Sequence, residues 1–174
     1  MNADVSGRRR QAVALTSLRA GLWAGAAMMP FGMAFRRLGY PVNVYGELVV
    51  RAVLGSAPLA AQLVVHAVVS VTLGAPFVTF ARWRGLARVI AGATYGVVSW
   101  AVLNATLLPL WFGRPTGWVL GFGAVWPSLV VHVVFGTALA AVTPRGAPSE
   151  AVEPREQGRS IPSRRTRIAG SRRR

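Results

Sequence analysis

The chain has two histidines, and each closes the same four-residue string: Leu63-Val64-Val65-His66 and, 66 residues later, Leu129-Val130-Val131-His132. An imidazole in this setting can relay a proton, ligate a transition metal or bind haem iron. A metal normally takes three or four ligands, yet between Ala57 and Val142 there is no carboxylate and the chain has no cysteine. Bis-histidine haem b needs only these two residues, but a second haem site and an electron path are missing. No metal and no cofactor is therefore expected. Two readings lead: each imidazole bonds a neighbouring hydroxyl or carbonyl and locks helices together, or the pair forms a proton-linked polar path. The first is simpler, and haem remains a third.

The elements that must position these residues are apolar. Mean hydropathy is +0.43, 53% of residues are hydrophobic and only 14% are charged, against about 25% charged in soluble domains. Between Ala57 and Val142 the charged side chains are Arg82, Arg84, Arg88 and Arg114. Helices of that composition lack the polar face a soluble fold requires. The pattern predicts an all-α integral membrane four-helix bundle with spans at about 11–35, 57–80, 89–112 and 118–142.

A basic stretch, 1–10, precedes span one. It resembles the n-region of an export signal, but Arg19 inside the apolar run and Met28-Met29-Pro30 make a poor cleavage context, so a retained helix is expected. The uncharged part, Ala20–Phe35, is too short to cross hydrocarbon alone, which draws Arg19 into the helix as a snorkelling lipid anchor rather than a buried ion pair. Gly21 and Gly25 remove side-chain bulk from one face, as do Gly92 and Gly96 in span three. Val44–Leu54 reads as a short interfacial helix with Glu47 and Arg51 four apart. In span two Gln62, His66 and Ser70 share a face. With His132 and Asn104 they make up a candidate intramembrane polar site. Trp100, Trp111, Trp118 and Trp126 suggest an aromatic belt, and Pro127 a kink in span four. Residues 143–174 are rich in Pro, Ser, Gly and Arg and are expected to be disordered.

The net charge of +15 comes from twenty arginines and no lysine. Their placement beside apolar runs suits topology and anionic lipid headgroups rather than nucleic acid. Arg8, Arg9, Arg10, Arg82, Arg84, Arg88 and nine arginines of the tail lie on one side of the four-span topology, against Arg36, Arg37, Arg51 and Arg114 on the other. Both termini should be cytoplasmic. Three matches recur in order: Ala20-Gly21 with Gly25 against Ala91-Gly92 with Gly96, Gly39-x-Pro41 against Gly113-x-Pro115, and the two histidine strings. They point to a duplicated helical hairpin, both copies inserted the same way up. Each histidine would then lie about 20–24 Å from the cytoplasmic side.

Through Ala20–Gly25, Tyr95–Trp111 and Trp126–Gly136 the chain resembles the YagU-like family of small bacterial inner-membrane proteins, over about residues 15–142. The resemblance implies a bacterial cytoplasmic-membrane location and carries over no site residues. No paired acids, phosphate-binding loop or histidine–carboxylate pair is present. The expected function is non-enzymatic: envelope maintenance or an accessory subunit of a membrane complex, with a small transporter or proton-linked channel and a haem b protein as alternatives. The expected partners are the bilayer, anionic headgroups through the Arg-rich tail, and a second copy or another membrane subunit.

Overall fold

The computed structural model describes residues 2–42, 44–84 and 88–144. Every element among them is helical, as apolar segments in lipid require: a helix satisfies its backbone N–H and C=O groups within itself. α1 runs over Asn2–Arg37 and α2 over Val44–Leu54, and α3 follows over Leu59–Arg84. α4 (Arg88–Ser99) continues into a π-helical stretch, Trp100–Leu107, and then α5 (Leu108–Trp111). A four-residue turn of helix, α6 (Gly117–Leu120), precedes α7 (Phe122–Val142). Four of these helices are long and apolar enough to span a bilayer: Arg10–Arg37, Leu59–Phe80, Val89–Trp111 and Phe122–Val142.

α1 is already helical at Asn2, so the helix runs through the basic stretch 1–10. One boundary differs from that read in the sequence. Span four begins at Phe122 rather than Trp118, since Gly121 takes a positive φ of 79° that breaks the helix between α6 and α7. Pro109 opens α5, directly after the π stretch. The disordered tail expected from residue 143 lies outside the described residues from 145 onward.

α1 packs against both α3 and α7, α4 packs against α7, and α3 and α4 touch only lightly. The helices therefore follow the order α3, α1, α7, α4. The core lies where the first three meet: Ala20 and Ala24 of α1, Phe77 and Val78 of α3, and Phe135, Leu139 and Ala140 of α7. Small residues on α1 leave room for the two phenylalanines. The outside is apolar instead: Trp111 is 84% exposed, Ile90 73% and Trp23 68%. An apolar surface of that extent marks a membrane or partner contact. Arg19 is exposed on this surface and joins no ion pair among the described residues.

Spans one and three end in the same way. At the end of α1, Gly39 (φ 86°) donates its N–H to Arg36 O and Tyr40 donates to Phe35 O. At the end of α5, Gly113 (φ 61°) donates to Leu110 O and Arg114 to Pro109 O. Both are Schellman caps, which need a left-handed residue that glycine supplies without strain.

Candidate functional site: two glycine–histidine seams

Two helix crossings organise the bundle. Where α1 crosses α3, a Cβ on Gly21 would lie 2.5 Å from Val71 Cα and 2.7 Å from Ser70 O, and one on Gly25 would lie 2.6 Å from Ser70 Oγ. Where α4 crosses α7, Gly92 rests on the Gly136 carbonyl and Gly96 on the His132 carbonyl, while Gly136 rests in turn on Gly92 O. Each seam sets a Gly-x-x-x-Gly helix against an antiparallel partner carrying His-x-x-x-small, namely His66 with Ser70 and His132 with Gly136. Gly74 continues the first stripe against Gly21 Cα, and Ala140 the second against Gly92.

The two histidines hold equivalent places but bond differently. His66 Nε2 lies 3.1 Å from Gly25 O on the facing helix. His132 Nδ1 lies 2.8 Å from Ser128 O, one turn back on its own helix. A carbonyl only accepts, so each of these ring nitrogens carries the proton and donates. The two rings thus place opposite nitrogens on their carbonyl partners, Nε2 in His66 and Nδ1 in His132. No hydrogen bond joins the imidazoles among the described residues.

The residue at the following turn differs too. Ser70 puts a hydroxymethyl group against Gly25, beside the His66 ring that reaches Gly25 O across the crossing. Gly136 has no side chain, so α4 and α7 meet backbone to backbone. The His132 ring is excluded from that seam and folds along α7.

The other candidate polar residues are elsewhere. Gln62 donates its amide to Ala57 O at 2.7 Å, at the start of α3, which ties off the helix entrance. Asn104 sits in the π stretch, eight residues past Gly96, so about 12 Å along the span from the level of His132. Its side chain makes no hydrogen bond among the described residues. Ser70 alone lies beside a histidine, in the first seam. Among the described residues no three of His, Cys, Asp and Glu cluster as metal ligands.

Comparison with protein-family models, curated proteins and solved structures finds no match to this chain. What the site can do therefore rests on its own geometry.

Several features escaped the sequence reading. Gly74 and Gly136 complete the seams, and the spacing of four from each histidine to Ser70 or Gly136 was the available signal. Tyr95 donates its hydroxyl to Leu73 O and packs its ring on Phe77, at 5.3 Å between centroids, tying α4 to α3. Trp100 and Trp126 are not members of an exposed belt. Trp100 is buried and meets Trp118 edge-on at 5.8 Å. Trp126 packs against Phe35 and Tyr40, at 5.2 and 5.7 Å, and pins the end of α1 to the start of α7. The π stretch carries a further latch, with Trp118 Nε1 donating to Thr106 Oγ1 at 2.9 Å and Gly117 against Ala105.

Proposed function

We propose that the chain is a non-enzymatic four-span protein of the bacterial cytoplasmic membrane, with both termini in the cytoplasm. It is built from a duplicated helical hairpin and serves as an accessory subunit of a membrane complex or in envelope maintenance. The observation that carries this reading is the bonding of the two histidines. His66 donates a ring N–H across the α1–α3 crossing to Gly25 O, and His132 donates one within α7 to Ser128 O beside the α4–α7 crossing. Bonding to backbone carbonyls suits structural side chains, with His66 as the pin between helices. The matched seams and matched Schellman caps support duplication. The arginine asymmetry supports the orientation, and the YagU-like resemblance supports the location. The arginine-rich tail serves as a contact for anionic headgroups, not nucleic acid.

A proton-linked path is the second reading, favoured by the second ring nitrogen of each imidazole, which has no hydrogen-bond partner among the described residues. One set of measurements on the His66→Ala, His132→Ala double variant separates the two. As structural side chains, the histidines leave proton flux in proteoliposomes unchanged, and their loss lowers the melting temperature. Flux present in the wild type and lost in the variant would overturn the first reading, as would a Soret band in the purified protein. Capture of a membrane partner in mild detergent tests the accessory role.

A further inference from the structure

Val49, Val50, Val53 and Leu54 of α2 line a cleft of ≈ 340 Å³ against Ala61, Val64 and Val65 of α3, and all seven side chains are aliphatic. Val50 forms the buried floor, while Val53, Leu54 and Val64 are exposed at the mouth. Glu47 and Arg51, joined at 2.9 Å, lie along the edge of this apolar face, beside Leu54. A helix patterned in this way lies in the interface, its apolar side toward the acyl chains and its charges in water. The cleft therefore opens just below the headgroups. Ordered water is excluded, because it needs polar partners that this lining lacks. The volume lies within the range of about 300–1,000 Å³ usual for a ligand pocket, and a lipid tail is the apolar matter present at that depth.

Charge selects the headgroup. The segments on this side of the bundle bring Arg36, Arg37, Arg51 and Arg114 against one acidic side chain, Glu47. Arg114 is close enough to Tyr45 of α2 to act on its phenol. Arg51 uses one N–H on Glu47 Oε1, and a guanidinium has four more to offer. We propose that the cleft between α2 and α3 binds one acyl chain of an anionic phospholipid whose phosphate is met by Arg51. Neither histidine lines the cleft, and its occupancy rests on the membrane-spanning reading above but not on the role given to the histidines.

The test uses the full-length protein in vesicles of equal parts phosphatidylcholine and phosphatidylglycerol, extracted gently and weighed by native mass spectrometry. One phosphatidylglycerol per chain should survive extraction. Val64→Trp fills the cleft and should abolish the adduct; Val53→Trp, at the exposed mouth, should do the same without a change in melting temperature. Arg51→Gln should keep an adduct but lose roughly fivefold in preference for phosphatidylglycerol, the worth of ~1 kcal/mol per basic residue at a lipid surface. An adduct retained in Val53→Trp overturns the proposal. So does a headgroup preference untouched by Arg51→Gln. Loss of chain-to-chain cross-linking in the tryptophan variants would assign the cleft to a second copy and overturn it as well.

Discussion

A single methyl group at Gly21 should measurably open the bundle. Its carbon would lie 2.5 Å from Val71 Cα, 2.7 Å from Ser70 O and 2.9 Å from Val71 N, whereas ordinary contact begins at 3.4 Å. The helices must part by 3.4 − 2.5 = 0.9 Å, because all three atoms are backbone and none can rotate aside. The same displacement, carried one turn along, would stretch the 3.1 Å contact of His66 Nε2 with Gly25 O to about 4.0 Å, beyond a hydrogen bond. Overpacking at its upper range costs ~3 kcal/mol, and the lost intramembrane bond adds ~0.6 kcal/mol. Alanine returns ~1 kcal/mol of helix propensity. The net loss for Gly21→Ala is about 2–3 kcal/mol, roughly 5–10 °C for a chain of this length. Gly25→Ala should cost less, because it meets the Ser70 hydroxyl, a side chain that can turn. Pairing it with Ser70→Gly should restore stability. Gly123→Ala is the control: nothing lies within 4 Å of its Cβ position. With no cysteine for a thiol dye, the assay is intrinsic fluorescence of the six tryptophans during heating in detergent. If Gly21→Ala melts at or above the wild type while Gly123→Ala is neutral, α1 and α3 do not meet at this seam.

Four further outcomes are expected. Ser17→Ala should be neutral or stabilising by about 1 kcal/mol in the same melt, since the Ser17 hydroxyl is buried without a partner among the described residues. Tyr95→Phe, which removes the hydroxyl donated to Leu73 O, should cost about 1 kcal/mol and show as faster hydrogen exchange where α3 and α4 meet. Trp126→Ala empties the cluster with Phe35 and Tyr40 and should cost about 3 kcal/mol, the low end for a large aromatic. Burial raises the Tyr45 phenol above its ordinary 10.0, with the Arg114 charge partly opposing. The folded state therefore holds that proton more tightly than the unfolded chain, so the contribution is complete below pH 10 and is lost as pH climbs through the raised value. Absorbance titration of wild type minus Tyr45→Phe should give that raised value, and Arg114→Gln should lift it further.

The four spans were legible because lipid leaves a helix few alternatives: a long run with almost no charge, such as Leu59–Phe80, has to satisfy its own backbone. The Glu47–Arg51 pair and the turns at Gly39 and Gly113 were legible for the same local reason, since each depends on residues within one turn of chain. The order α3, α1, α7, α4 was not, because it depends on which of several small-residue faces meet. The π stretch was hidden as well. Its signals, Pro109 without an N–H and Thr106 bonding to Ala101 O five residues back, make sense only once Gly117 and Trp118 are seen packed on it. The two histidines could be picked out as the only imidazoles in an apolar chain. Neither their bonding partners nor the separation of Asn104 from them could be read, because period alone does not say how deep one helix sits against another.

The two seams use an intramembrane histidine differently. Both copies present an imidazole to a helix thinned by glycine, and both rings must place an N–H somewhere, since an unpaired donor in hydrocarbon costs several kcal/mol. In the first seam Ser70 packs its hydroxymethyl on Gly25, and the ring reaches the Gly25 carbonyl on the facing helix. That bond joins two helices. In the second, the contacts among Gly92, Gly96 and Gly136 close the gap, so the ring reaches Ser128 O within its own helix. That bond stays within α7, and cohesion there comes from close packing, Ala140 on Gly92 included. Both copies bring glycine-thinned helices together, and only the first adds a histidine hydrogen bond across the crossing. A serine in place of Gly136 would have to displace Gly92 O before its hydroxyl found any partner. The asymmetry is therefore built into the packing, and the two histidines are not interchangeable even though the strings that carry them are identical.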